Sequence, residues 1–425
     1  MNASPTPTPT PTVTPRIGSR RWPDSQGDAR IPAWVYSDPA IFKREMEVFY
    51  NGPTWNFVGL ECEIPAAGNY KRSWVGTRSV IMVRDEDGSV NVVENRCAHR
   101  GSSLCWTDKG TVSSFTCPYH HWNYDLKGNL QGLPFLRGAM GKGGMPRDFN
   151  KSEHGLHKLR VTVHNGIVWA TYGEDTPDLE TYLGDEILAV LNRATGRAPL
   201  RLLGYNRQLL PCNWKLYTEN SRDPYHATLL HSFFVTFGLL RTDTAFKAIP
   251  TLGGRHGIMA STYSAATAST HNEVTKELAS LKSDLALEDM QVVRPVDEFG
   301  DSSMINFSVL PSVFFQQHGN SLAIRHVIPK TESSTELSWT HYGFADDDEV
   351  MHNRRLKQAN LMGPSGYVAI DDSEILAQLQ PITASAPEAV QVVEMGGRDF
   401  TPQETMVTET LIRNFYRYYR EQMGL

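Results

Sequence analysis

Two short runs, Cys97-Ala98-His99 and Cys117-Pro118-Tyr119-His120, stand seventeen residues apart. Each carries one thiol and one imidazole, and for all four to serve one metal centre their two loops must meet at a point. A structural zinc site also accepts two Cys and two His, but its usual order is two Cys close together and then two His. One donor of each kind in each half instead suits a centre with two thiolates on one metal atom and two imidazoles on a second. Exchanging two thiolates for neutral imidazoles removes negative charge and raises the reduction potential. Each imidazole also keeps a ring nitrogen free to hydrogen-bond outward. Electrons can therefore leave such a centre through His99 or His120.

The surrounding pattern is of short strands. Runs 79–84 and 90–94 flank Asp85-Glu86-Asp87-Gly88, and runs 159–163 and 167–170 flank His164-Asn165-Gly166. Both read as hairpins. Both ligand runs fall on loops after strands, so residues 55–160 are expected to form an all-β domain. Upstream, residues 4–15 read SPTPTPTPTVTP, an extended stretch that cannot build a core. A disordered tail is expected over 1–30. Ser37-Asp38-Pro39 then opens a helix with a cap and a proline at its first position. Phe42, Met46 and Phe49 fall on one face of it.

Downstream, residues 214–234 read as helix interrupted at Pro224. Strand-like runs follow at 308–316 and 321–328. Thr401-Pro402-Gln403-Glu404 reads as a capping box for a last helix carrying Val407, Leu411, Phe415 and Tyr418 on one face. Strands followed by a long terminal helix make the fold class α+β, with an antiparallel sheet in the second domain.

That second domain holds Asp223-Pro224-Tyr225-His226 and, five residues on, His231. Two His are two-thirds of a 2-His-1-carboxylate iron site, which leaves coordination positions open for oxygen chemistry. On an ideal helix a spacing of five separates side chains by about 140°. Joint ligation therefore needs a local distortion or a helix boundary, and Pro224 offers a boundary. Taken alone, two His in a Leu/Phe-rich stretch are ordinary core or surface residues.

Together the two patterns resemble the Rieske non-heme iron aromatic ring-hydroxylating oxygenases, specifically the large (α) subunit, from about Trp34 to the C-terminus. The matching residues include His99-Arg100-Gly101, the run 118–124 around Trp122, Asn213-Trp214-Lys215, Glu219-Asn220, Asp223, Tyr225, His226 and His231. The resemblance implies a Rieske [2Fe–2S] cluster on Cys97, His99, Cys117 and His120. It implies mononuclear Fe(II) on His226, His231 and a late carboxylate. Asp372 aligns best with that carboxylate and Asp371 is the alternative, the bland reading of the pair being a solvated turn or helix cap. Asp223 and Asn220 take catalytic roles, with Asp223 bridging His226 to a cluster histidine, His120, of a neighbouring subunit. His121 stands where many relatives have Gly. The implied second domain is a helix-grip catalytic domain built from 31–54 and 161–425.

The bulk properties agree. A net charge of −6 with no basic run argues against nucleic acid as a partner. No apolar run reaches the eighteen or more residues of a membrane span. Five scattered cysteines do not form a disulfide framework, so Cys62, Cys105 and Cys212 are expected as buried thiols in a reducing cytoplasm. No Gly-rich dinucleotide fingerprint follows a strand. NADH must therefore act through a separate reductase, with or without a ferredoxin. The family further implies an α3 or α3β3 assembly with a small β subunit. An electron carrier without turnover is the rival from another class, and the second ligand set disfavours it.

Within the family the wording is most similar to the branch acting on benzoate-like acids. An aromatic carboxylate in an apolar pocket needs a cation, and Arg pairs with it bidentately. Arg325, in an apolar run, is the candidate; an internal ion pair is its plain alternative. Terephthalate enzymes carry a second Arg where this chain has Met406, which suits a monocarboxylate. The expectation is a dioxygenase converting anthranilate to catechol with loss of ammonia and CO2, followed by a salicylate hydroxylase.

Overall fold

The computed structural model describes residues 20, 22–233, 245–262, 288–289, 292–293, 296–300, 304–366 and 368–425. The Pro/Thr run 4–15 lies outside them. Two seven-stranded antiparallel sheets dominate the molecule. The first runs, in spatial order, Asn56–Leu60, Ile167–Thr171, Lys158–His164, Val90–Glu94, Arg78–Arg84, Asn69–Val75 and Lys109–Thr111. Its turns are those read in the sequence: Gly88 sits at φ 83°, and Asn165 and Gly166 at 49° and 75°. Two successive positive φ values make the tight turn that follows the twist of a hairpin. A small sheet of Phe115–Thr116, Asn123–Tyr124 and Leu130–Gly132 packs beside it. The division expected at residue 160 falls inside the strand Lys158–His164, whose hairpin partner completes this first sheet.

The second sheet is a six-stranded meander with the earliest strand added beside the last: Leu200–Leu210, Ser334–Phe344, Ser321–Thr331, Val313–His318, Met304–Val309, His256–Thr262 and Ala245–Thr251. Helices Trp214–Asn220, Ala369–Ser385 and Thr410–Met423 pack near it. The run expected as one strand at 308–316 is corrected to two, because Leu310, Pro311 and Ser312 turn the chain between Met304–Val309 and Val313–His318. Among the described residues no helix is long and apolar enough to cross a membrane.

Both chain ends close on this second core. Asp38 caps the helix Pro39–Glu45, accepting the Ala40 N–H at 2.8 Å. Phe49 stacks on Tyr419 with ring centroids 5.5 Å apart. The expected tail boundary at residue 30 is corrected too. Trp22 is buried against Tyr416 and beneath Arg420, and Arg30–Pro32 pairs with Val390–Val392. Trp22 and the tripeptide found partners at the far end of the chain, around Tyr416 and Val390–Val392. The last helix starts at Thr410, not after Thr401. Gln403 cannot enter a helix because its backbone N–H and C=O are both bonded to Ala248. Val407 is therefore outside the helix and exposed, while Leu411, Phe415 and Tyr418 are buried on it.

Glu45 is the knot of this closure. Its carboxylate accepts from Trp214 Nε1 at 2.8 Å, Tyr419 Oη at 2.6 Å and Lys215 Nζ at 2.6 Å. Both side chains of the Glu45–Lys215 pair are fully buried. Removing one partner strands a buried charge, so Lys215→Met is expected to cost about 3–5 kcal/mol. Chemical denaturation of the two proteins checks this; a loss below about 1 kcal/mol would make the pair dispensable.

Candidate metal centres

The two Cys/His loops are alike in shape. The Cys97 N–H donates to Ser102 O at 2.9 Å and the Gly101 N–H returns to Cys97 O at 2.9 Å. The second loop repeats this, with Cys117 N–H to Trp122 O at 2.8 Å and His121 N–H to Cys117 O at 2.9 Å. The fifth residue of each loop is left-handed: Gly101 at φ 77° and His121 at φ 56°. That conformation suits Gly, so a Gly at the position His121 occupies would relieve the backbone. His121 is an exposed loop residue.

The sulfurs face inward and the imidazoles outward. Cys97 and Cys117 are buried in a core with Cys105, Trp122 and Tyr124, whereas His99 and His120 are exposed. The two imidazole centroids lie 4.6 Å apart, and His99 stacks on Trp122 at 4.8 Å. Tyr124 Oη reaches Cys97 Sγ at 3.2 Å and accepts the Ala98 N–H at 3.2 Å. Burial and the neighbouring Cys117 raise the Cys97 thiol, opposed by the Tyr124 hydroxyl. Thiolates here therefore call for positive charge between them, which the irons of a cluster supply. Burial pushes the Cys105 thiol up to about 11, that of an inert core residue.

The second constellation forms where three elements meet. His226 precedes the short helix Ala227–Leu230, and His231 follows it at ψ 76°, out of helical geometry. Leaving the helix removes the 140° separation that a continuous one imposes. Asp372 comes from the first turn of Ala369–Ser385. One donor atom each from His226, His231 and Asp372 lies within 4.8 Å of the others. Asp372 Oδ1 is 3.4 Å from Nε2 of each histidine and accepts from Asn220 Nδ2 at 3.0 Å. Asp371 is placed differently, 3.5 Å from Nδ1 of His231.

Asp223 Oδ2 stands 3.2 Å from His226 Nδ1, the carboxylate–histidine pairing that orients a ligating imidazole. Burial alone would lower His226, but the carboxylates of Asp223 and Asp372 hold it up to about 10. Burial likewise opposes ionisation of Asp372, and His226 and His231 overcome it. Two carboxylates around two imidazoles demand a positive charge, which a divalent cation provides in place of the proton. The donor set, two His and one carboxylate, fits mononuclear iron.

A pocket of about 640 Å³, including its open mouth, contains this site. Its floor is one face of the second sheet. Alternation along the strands aims Met304, Asn306, Phe314, Gln316, His318, Arg325 and Trp339 to the same side. Arg325 is buried and donates from Nη1 to Tyr217 Oη at 3.1 Å, while its Nε has no partner. Among the described residues no carboxylate pairs with it; its polar partner there is the Tyr217 hydroxyl. Its guanidinium lies 5.2 Å from the Trp339 ring centroid. Met406 is buried and also lines the pocket. Asn306, Gln316, His318 and Trp339 escaped the sequence reading. Asn306 interrupts a largely apolar strand and Gln316-Gln317-His318 ends another on a polar run, which is the signal that could have found them.

A sulfur-inward loop pair on an antiparallel sheet and a His/His/Asp pocket on a second sheet define a two-centre iron oxygenase. The comparisons agree. Residues 54–142 match the Rieske [2Fe-2S] domain, and residues 182–425 match the ring hydroxylating alpha subunit (catalytic domain). The large oxygenase component of salicylate 5-hydroxylase from Ralstonia sp is 44% identical over 410 residues, 95% of this chain and 96% of the relative. The anthranilate 1,2-dioxygenase large subunit of Burkholderia cepacia is 39% identical, covering 93% and 94%. The terephthalate 1,2-dioxygenase terminal oxygenase component subunit alpha 2 of Comamonas sp is 40% identical, covering 93% and 96%. In fold the chain is similar to naphthalene 1,2-dioxygenase from Rhodococcus sp. bound to indole, with a TM-score of 0.78 at 24% identity over 93% and 94% of the two chains. The chain belongs to the Rieske non-heme iron ring-hydroxylating oxygenases, as a large (α) subunit. It thus carries a Rieske [2Fe–2S] domain and a catalytic domain of the kind that binds mononuclear iron.

Proposed function

We propose that this oxygenase hydroxylates an aromatic monocarboxylate bearing a polar ortho substituent, with salicylate ahead of anthranilate. The observation that carries this reading is Arg325, a buried cation with no carboxylate partner among the described residues, in the same pocket as His226, His231 and Asp372. The order of the two acids reverses the one expected from sequence. It follows the higher identity to the salicylate 5-hydroxylase component, 44% against 39%.

In this reading Cys97, His99, Cys117 and His120 hold the cluster, and His226, His231 and Asp372 hold the iron. Iron bound there supplies the dioxygen chemistry. The chain's own residues do the remaining work. Arg325 anchors the carboxylate, and the Trp339 ring beside it gives the substrate an apolar wall. Met259, Met304, Met362 and Met406 line the pocket and displace water. Asn220 fixes the Asp372 carboxylate and Asp223 fixes the His226 ring. Asp223 keeps 19% of its side chain exposed, so its outer edge is open to a histidine of another subunit. The exposed His120 is the group that would meet it, which gives an α3 or α3β3 ring its purpose. Electrons come from NADH through a separate reductase, with or without a ferredoxin, in the cytoplasm. A small β subunit completes the assembly.

Arg325→Leu tests the anchor. A charge-assisted hydrogen bond contributes about 1.5–3 kcal/mol, so KM for salicylate should rise about 10- to 100-fold. An unchanged KM would remove Arg325 from the site.

A further inference from the structure

Arg325 does not account for all the recognition chemistry in the pocket floor. In the strand register Asn306 faces Gln316, Met304 faces His318, and Phe314 faces Arg325. Gln316 is therefore a diagonal neighbour of Arg325 on one face, about 7–8 Å away by sheet spacing. Asn306, Gln316, His318 and Arg325 all line the cavity. Asn306 is 9% exposed and Gln316 4%. Even so, among the described residues Asn306 Oδ1, Gln316 Nε2, His318 Nε2 and Arg325 Nε have no hydrogen-bond partner. Amides buried elsewhere in the catalytic core are paired: Asn213 Nδ2 donates to Glu332 O, Asn320 Nδ2 to Val296 O, and Gln380 Oε1 accepts from Asn213 N.

Unpaired buried polar atoms are unfavourable. Four of them converging on one cavity mark a place where something else completes the bonding. An amide pair offers both a donor and an acceptor whichever way each amide is turned. Burial, with Arg325 adding to it, keeps His318 neutral down to about 3. The subsite beside the guanidinium is therefore uncharged and bifunctional. It suits a hydroxyl or an amino group, and a second carboxylate would find no cation among these three side chains.

We propose that Asn306 and Gln316, with His318 beside them, form a specificity subsite for the ortho substituent of the aromatic acid. This rests on the reading of Arg325 as the carboxylate anchor. Both claims are tested by calorimetric titration of the anaerobic, iron-loaded protein with benzoate, 2-methylbenzoate, salicylate and anthranilate. On the unaltered protein salicylate should bind at least about tenfold more tightly than 2-methylbenzoate, the size of effect expected of one or two hydrogen bonds. Gln316→Met and Asn306→Leu should collapse that ratio and leave benzoate affinity in place. Arg325→Leu should weaken all four acids together. If the unaltered protein shows no preference for salicylate over 2-methylbenzoate, the subsite is wrong and the anchor stands. The same holds if both amide variants keep that preference. If none of the four acids binds, the anchor itself fails and the subsite with it.

Discussion

Asp372→Ala is expected to lower the iron content from about three per chain to about two, the cluster pair alone. The cluster's visible and EPR spectra should not change, because the Cys/His loops lie on a different sheet. No hydroxylated product should form in single turnover. Asp372 supplies the only carboxylate in the metal-ligating group found among the described residues. Its loss leaves two imidazoles, one of them lowered by burial, and a site that cannot balance a dication. Asp371→Ala is the control: it should keep the third iron, since its carboxylate faces the other nitrogen of His231. Retention of three irons by Asp372→Ala, or their loss in Asp371→Ala, would exchange the two roles.

Asp223→Asn should keep both metals at saturating iron and slow turnover by about 100-fold or more, at the upper end of effects from the partners of metal ligands. The amide preserves the size of the carboxylate but not its charge. It no longer stabilises positive charge on the His226 imidazole, which Asp223 and Asp372 together hold up to about 10 against burial. Chemical reduction of the cluster should proceed normally, and oxidation of the reduced cluster on adding substrate and oxygen should be slow. Normal reoxidation would take Asp223 out of the path between the centres.

Most of the cluster domain was legible because its information is local. Asp87-Gly88 and Asn165-Gly166 announce their turns, and each Cys/His run fixes its own loop. The catalytic half was harder for particular reasons. A spacing of five between His226 and His231 is wrong for a helix, and only the end of the helix at Leu230 makes it right. The box at Thr401 has the residues of a helix start, but its backbone is claimed by Ala248, about 150 residues earlier. Trp22 looked like part of a tail because its partners, Tyr416 and Arg420, lie at the other end of the chain. Asn306, Gln316 and His318 came together with Arg325 only once three strands were laid in register.

The knot at Glu45 also orders events in time. During synthesis the first sheet has all its strands once Thr171 has emerged, since its pairings stay within residues 56–171. The catalytic core waits for Tyr419, whose hydroxyl completes the bonding of Glu45 nearly four hundred residues earlier. Local pairings form before distant ones, and domains near the N-terminus fold first on the ribosome. The nascent chain therefore holds every strand and both Cys/His runs of the first sheet's region well before it holds Asp372, although that sheet's other face packs in one core with Phe415 and Tyr419. The two sets of metal ligands are thus finished at opposite ends of synthesis, the Cys/His pair early and the His/His/Asp group only after Asp372.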